Sequence, residues 1–292
     1  MKILKGIFEF YINASIHVAL AVCALVWITA FEYHFDPSYY LFGFVFFGTI
    51  TGYNFVKYAG AVGLHHISLT NSLKTIQVFS FLCFGMVILC LAHLPTRILG
   101  VIGVFGLLTF LYAVPFLKKK NLRTVSGLKI FVVGLVWAGV TVSIPLVWNH
   151  EGTSTTYVFD DSNYWATFFQ RFLLVIVWTF SFEIRDLRYD DAALKTLPQL
   201  FGVRVVKILG AVFLLGVVLM EFFKDFSYHM DYSEIGDTHW VGLLSIGLLT
   251  LTLLLVSEKK QSRYFASFWV ESIPILWMLI LLSLHFYFAT SC

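Results

Sequence analysis

The chain has 292 residues, of which 59% are hydrophobic and 13% charged, with a mean hydropathy of +0.83 and a formal net charge of +3. Soluble domains are about a quarter charged and just under half apolar, so this composition excludes a water-soluble enzyme, a disordered tail and a disulfide scaffold. The small net charge gives no reason to expect a nucleic-acid partner, and residues 1–292 read as a single polytopic membrane domain.

A membrane-spanning helix needs about 20 predominantly apolar residues. Nine such runs follow one another near 7–31, 39–57, 75–94, 98–117, 128–148, 165–182, 202–222, 239–256 and 266–289. This predicts an all-α bundle of nine transmembrane helices. The first run follows Lys2 and Lys5 and contains Asn13, His17 and Trp27 with no small-residue cleavage site, which reads as a retained helix rather than a signal peptide. Cys23, Cys83 and Cys90 lie inside apolar runs and Cys292 is terminal; without C-x-x-C spacing they predict neither zinc nor disulfides.

Orientation follows from the basic residues. With a cytoplasmic N-terminus, the cytoplasmic segments hold Lys2, Lys5, Lys57, Lys74, Lys118, Lys119, Lys120, Arg123, Lys129, Arg185, Arg188, Lys195, Arg204, Lys207, Lys259, Lys260 and Arg263. Only Arg97, Arg171 and Lys224 remain of the 20. The opposite side is acidic, with Glu32, Asp36, Glu151, Asp160, Asp161, Glu221, Asp225, Asp231, Glu234 and Asp237. The expectation is a multi-pass cell-membrane protein with its C-terminus on the far side of the bilayer.

That rule does not explain acids on the cytoplasmic side. Glu183, Asp186, Asp190 and Asp191 crowd the end of the sixth run, and the first three, spaced i, i+3, i+7, share one helical face. Like charges so placed repel unless a cation lies among them, and hard oxygen ligands suit Mg2+, which bridges a few carboxylates to substrate phosphates. Arg185 and Arg188 interleave and offer the other reading, a salt-bridged helix end.

The residues around them carry a resemblance. Glu183-Ile184-Arg185-Asp186, then Asp190, Lys195-Thr196-Leu197-Pro198 and Gly202, closely resemble the second aspartate-rich motif of the UbiA family of membrane prenyltransferases, D-x-x-D-x-x-x-D followed by [KR]-T-L-P and a glycine. Tyr112, Pro115, Lys118 and Lys119 look like that family's Y-x-x-P-x-x-K-R segment after the fourth helix. The resemblance implies a UbiA-like nine-helix bundle with acidic motifs on cytoplasmic loops after helices two and six. It implies Mg2+ held by Glu183, Asp186 and Asp190, and a prenyl diphosphate near Asn54, Tyr112, Lys118, Lys119 and Lys195. The implied reaction is transfer of the polyprenyl group to a lipophilic, possibly aromatic, acceptor.

The family's first motif, N-D-x-x-D-x-x-x-D, is matched here only at Asn54; Phe55, Tyr58 and Val62 stand in the carboxylate positions, and the spacer after Asp190 is one residue short. Where two ions would share the diphosphate, one carboxylate set can hold one ion. Lys57 offers a fixed positive charge in place of the other, which makes it a catalytic candidate beside Asp186 and Asp190. The rival explanation for Lys57 is ordinary positive-inside charge.

Three further signals stay open. His65 and His66 read as a general-base candidate or as polar loop residues. His17 and Glu271 are intramembrane ionisable groups, expected to make helix–helix hydrogen bonds. The 31 Phe, 14 Tyr and 8 Trp suit either lipid contact or walls that shield an allylic cation. A lipid-binding or scaffold protein on the same fold competes with the enzyme, favoured by the missing first-motif acids. A transporter ranks last because the charges cluster at one face.

Overall fold

A computed structural model describes residues 2–59, 71–115, 121–125, 127–150, 156–189, 194–224 and 233–291. Among these residues every regular element is helical: α1 (Lys2–Asn13), α2 (Ile16–Glu32), α3 (Tyr39–Ala59), α4 (Asn71–Leu91), α5 (Leu99–Ala113), α6 (Lys129–Ala138), α7 (Ile144–Asn149), α8 (Thr156–Asp160), α9 (Ser162–Asp186), α10 (Leu197–Glu221), α11 (Ser233–Val256) and α12 (Ile273–Ser291). Neighbours in the chain pack side by side: α2 on α3, α3 on α4 and α5, α5 on α6, α6 on α9, then α9, α10, α11 and α12 in turn. The circuit closes where α12 returns to α2.

Among the described residues seven helices are long and apolar enough to cross a bilayer, or eight if the bent pair α1–α2 is one span. The protein is thus a multi-pass, all-helical membrane bundle, but this count differs from the nine runs read in the sequence. The run near 39–57 does form a helix of 21 residues, about 30 Å at 1.5 Å per residue. Its Tyr39, Tyr40, Thr49, Thr51, Tyr53 and Asn54 dilute its hydropathy. Lipid contact is plain on α10, where Val205, Ile208, Val212, Leu215 and Leu219 form an exposed stripe at helical spacing.

The runs that look continuous in sequence are broken in the fold. The first turns by 54° between Asn13 and Ile16, with Ser15 in the left-handed region at φ 63°. The fifth passes through a π-helical segment, Gly139–Ser143, before Pro145. There Gly139 admits the Phe105 ring, so close that a Cβ would lie 2.0 Å from it. The seventh breaks at Gly202, φ 81°. The last begins as a π-helix, Phe265–Val270, and breaks at Glu271 and Ser272 before α12.

The end of the bundle away from the acidic motif is held by buried ions. Lys224, just past α10, bonds Glu32 of α2 and lies 3.1 Å from Glu221 Oε2. His239 of α11 meets Glu221 Oε1 at 2.8 Å. From α9, Thr167 donates to Glu32 Oε1 and Gln170 Nε2 to Glu221 Oε2, both at 2.8 Å. Deeper, fully buried Arg171 donates to Leu25 O at 3.1 Å and sits over the Trp277 ring. Arg97 donates to Trp148 O at 2.6 Å. The three basic residues that escaped the cytoplasmic pattern are therefore engaged inside the protein. Removing one partner of a buried ion pair leaves uncompensated charge, at a cost of about 3–5 kcal/mol. Lys224→Met should lower the thermal unfolding temperature in detergent steeply, whereas Lys74→Met, on an exposed position of α4, should leave it nearly unchanged.

Candidate functional site

A cavity of about 470 Å³ opens among the helix ends that carry the acidic motif. Its wall gathers the C-terminal ends of α3, α5 and α9, the start of α6, and the two broken segments near Asn13 and Glu271. Five basic side chains line it, Lys57, Arg123, Lys129, Arg185 and Arg263, with three acids, Glu183, Asp186 and Glu271. Tyr53, Tyr112, Trp137, Trp178 and Phe182 give the same space an aromatic lining. Trp137 is fixed there by donating from Nε1 to Tyr53 Oη at 2.8 Å, and meets Trp178 edge-on. Trp178 in turn donates to Thr250 Oγ1 at 3.2 Å.

Glu183 and Asp186 stand one turn apart near the end of α9, and both face the cavity. Glu183 is buried and also borders a water-sized void with Arg123, Lys129 and Thr196. Asp186 accepts from Arg185 Nε at 2.7 Å and is partly exposed. Among the described residues no group of three or more His, Cys, Asp or Glu is gathered as a metal cage. Two hard carboxylates on a cavity wall nevertheless fit Mg2+, which keeps several waters and takes one or two carboxylates plus substrate phosphates. Asp190, Lys118, Lys119, His65 and His66 lie outside the described residues.

The other sequence-derived residues divide. Tyr112 is buried on the cavity wall. Lys195 is exposed with φ 46° and lies off that wall, although its neighbours Leu194 and Thr196 border the small void behind Glu183. Asn54 also lies off the wall: its amide is occupied in bracing the bend between α1 and α2. Its Oδ1 accepts from Ser15 Oγ at 2.8 Å, and Nδ2 donates to Ala14 O at 3.1 Å and Ser80 Oγ at 2.8 Å.

Lys57 is exposed and lines the cavity. Its Nζ donates to Asn13 O at 3.0 Å, and Tyr58 Oη donates to the same oxygen at 3.2 Å. Asn13 closes α1, where a helix leaves carbonyls without intrahelical donors and a negative dipole end that attracts cations. Arg263 joins from the other side, donating from Nη2 to Asn13 Oδ1 at 3.0 Å. Arg263, Asn13, Trp137 and Trp178 carry no motif, and of the four only Arg263 had a signal in the sequence, its place in a basic segment.

His17 does bridge helices as its intramembrane position suggests. It contacts Tyr11 Oη at 2.7 Å, Phe268 O at 3.1 Å and Ser272 Oγ at 3.2 Å.

Comparison with known proteins adds the fold to this geometry. No family model matches the sequence, and no curated protein matches it. Two solved structures do match over nearly the whole chain. A UbiA homolog from Archaeoglobus fulgidus aligns with 95% of this chain and 98% of its own at TM-score 0.59 and 10% identity. A structure of digeranylgeranylglyceryl phosphate synthase in membranes aligns over 97% of both chains at TM-score 0.55 and 15% identity. The fold is the UbiA fold. Both identities are low, so the kinship lies in the path of the helices rather than in shared side chains.

The bracing role of Asn54 has a measurable consequence. Asn54→Ala removes three buried hydrogen bonds and leaves the Ser15 hydroxyl and the Ala14 carbonyl without this partner, at about 1–3 kcal/mol per orphaned group. The expected result is a lower unfolding temperature, with Tyr58→Phe, which loses a single bond, costing less.

Proposed function

We propose that this protein is a membrane prenyltransferase, moving a polyprenyl group from a prenyl diphosphate to a lipophilic acceptor. The observation that carries the reading is the make-up of one cavity: acids and bases at the motif end, aromatic rings above them, inside a UbiA fold. Glu183 and Asp186, with Asp190 from the same motif, would hold Mg2+, which supplies neutralisation of the leaving diphosphate. Arg123, Lys129 and Arg185 line the same end and suit its oxygens; Lys118 and Lys119 belong to this clamp on the motif resemblance alone. Tyr53, Trp137, Trp178 and Phe182 present ring faces and exclude water where an allylic cation forms as the C–O bond ionises.

The first-motif acids are absent, and Lys57 with Arg263 is the counterpart we assign. Two cations meet at the single residue Asn13 on the cavity wall. Like charges held that close repel, and an anion between them relieves the repulsion. They supply fixed charge on the side where a second ion would need carboxylates. The alternative, a lipid-binding protein on the same fold without transfer, is favoured by the engagement of Asn54 away from the cavity.

Pyrophosphate release from the purified protein, with Mg2+ and a panel of prenyl diphosphates, decides between them. Release that needs Mg2+ is the expected result, and none with any donor leaves the lipid-binding reading. Binding of inorganic diphosphate by calorimetry resolves the residues. Asp186→Asn should remove the Mg2+ dependence, and Lys57→Gln and Arg263→Gln should each weaken binding roughly 10- to 100-fold, as loss of a charge-assisted hydrogen bond does. If Lys57→Gln binds as the native protein does, its ammonium is only a cap on α1.

We also propose the orientation read from the basic residues, N-terminus cytoplasmic and C-terminus opposite. Cysteine labels at Ser154 and Lys259 should react from opposite sides of the membrane, and reaction from one side would overturn the arrangement.

A further inference from the structure

Glu271 sits where an apolar helix should continue. The chain runs as a π-helix through Val270, and the Glu271 amide bonds back five residues to Ala266 O at 3.2 Å. Pro274 then follows, whose ring nitrogen cannot donate to the carbonyl four residues earlier. Such bulges recur at functional sites because they re-aim one side chain. Here the re-aimed side chain is an acid, and its exposed part lies on the cavity wall beside Ser267, Val270 and Pro274.

Its surroundings set it apart from the other ions of the fold. Glu32 and Glu221 are each held by direct bonds to Lys224 and by further donors. Among the described residues no side chain hydrogen-bonds the Glu271 carboxylate, although Lys57 and Arg185 line the same cavity. A partly buried carboxylate that shares a cavity with cations yet is bonded to none of them has acceptor capacity left over for a ligand. It stands at the break before α12, and among the described residues it does not gather with Glu183 and Asp186 of α9 as a metal cage, so it is not part of the proposed metal pair.

We infer that Glu271 binds the acceptor's hydroxyl and takes its proton, which restricts the acceptor to molecules carrying a dissociable O–H, such as a phenol. This rests on the prenyl-transfer reading above. In the step, the C–O bond between the prenyl C1 and the diphosphate breaks and the diphosphate leaves with the electron pair. A ring carbon of the acceptor, made electron-rich as the O–H proton passes to the Glu271 carboxylate, forms the new bond to C1, and the proton that this carbon gives up returns to the oxygen. The proton taken by Glu271 leaves with product release.

Two measurements test it. In a competition assay against a fluorescent farnesyl probe, a farnesylated phenol should bind the native protein at least roughly 10-fold better than its O-methyl ether, because a site built for a hydroxyl rejects the analogue lacking it. Glu271→Leu should erase the preference. With labelled geranylgeranyl diphosphate and a panel of phenols, Glu271→Gln should slow transfer by about 100-fold or more, the usual share of a general base. The same variant should bind inorganic diphosphate with Mg2+ as well as the native protein or more tightly, since a negative charge near Lys57 has gone. Equal binding of phenol and ether to the native protein, or full transfer by Glu271→Gln, overturns the role of Glu271. Failure of the native protein to bind diphosphate overturns the transferase reading instead.

Discussion

In a bilayer each peptide N–H and C=O must find its partner within the protein, because the hydrocarbon offers none. Regular helices meet this demand everywhere except at their ends, so every interruption at membrane depth has to be repaired by side chains. The cavity is built from two such interruptions. At the α1–α2 bend, the repair is made by Asn54, which donates to the Ala14 carbonyl, and by Lys57 and Tyr58, which donate to that of Asn13; Ser15 and Arg263 add side-chain bonds to Asn54 and Asn13. At the second, the π-helical start of the last span, Ser272 and His17 share the Phe268 carbonyl. The polar groups that repair the backbone are thus brought into the same space as the acids of α9. A straight version of either span would have presented an apolar face there.

Sequence reading reached the outline of this arrangement and stopped at its detail for a physical reason. Apolar runs reveal membrane helices because lipid demands them. The charge asymmetry and the acids closing α9 stand out because nothing in a lipid environment explains them. The bends at Ser15 and Glu271 are not fixed by the sequence, since a mostly apolar run stays compatible with a straight helix even where Asn13, His17 or Glu271 interrupts it. Pro274 marks one break, but Pro145 in another run merely follows a π-helical segment that continues into α7. Asn54 illustrates the limit well. Its motif position matches a diphosphate ligand, whereas its three hydrogen bonds belong to a bend that only the tertiary fold displays. Glu271 is the converse: a residue outside both motifs that the fold carries to the cavity.

The two ends of the bundle handle charge in opposite ways. At the motif end, basic and acidic side chains line a space, and several keep capacity for a ligand. At the other end, Lys224, Glu32, Glu221 and His239 satisfy one another directly, with Thr167 and Gln170 completing the set. Binding energy at one end can then be directed to a substrate without loosening the helices that frame it, because the frame is fastened elsewhere.

That fastening also bears on how the chain is made. Glu32 and Lys224 are separated by 192 positions, so the acid at the end of α2 enters the membrane long before its partner is synthesised. Closing so long a loop is slow and entropically uphill, and until α10 arrives the carboxylate must stay at the wet interface or be held as the neutral acid. The final setting of α2 therefore waits on the C-terminal part of the chain, and a chain truncated ahead of Lys224 would leave Glu32 without its ammonium partner.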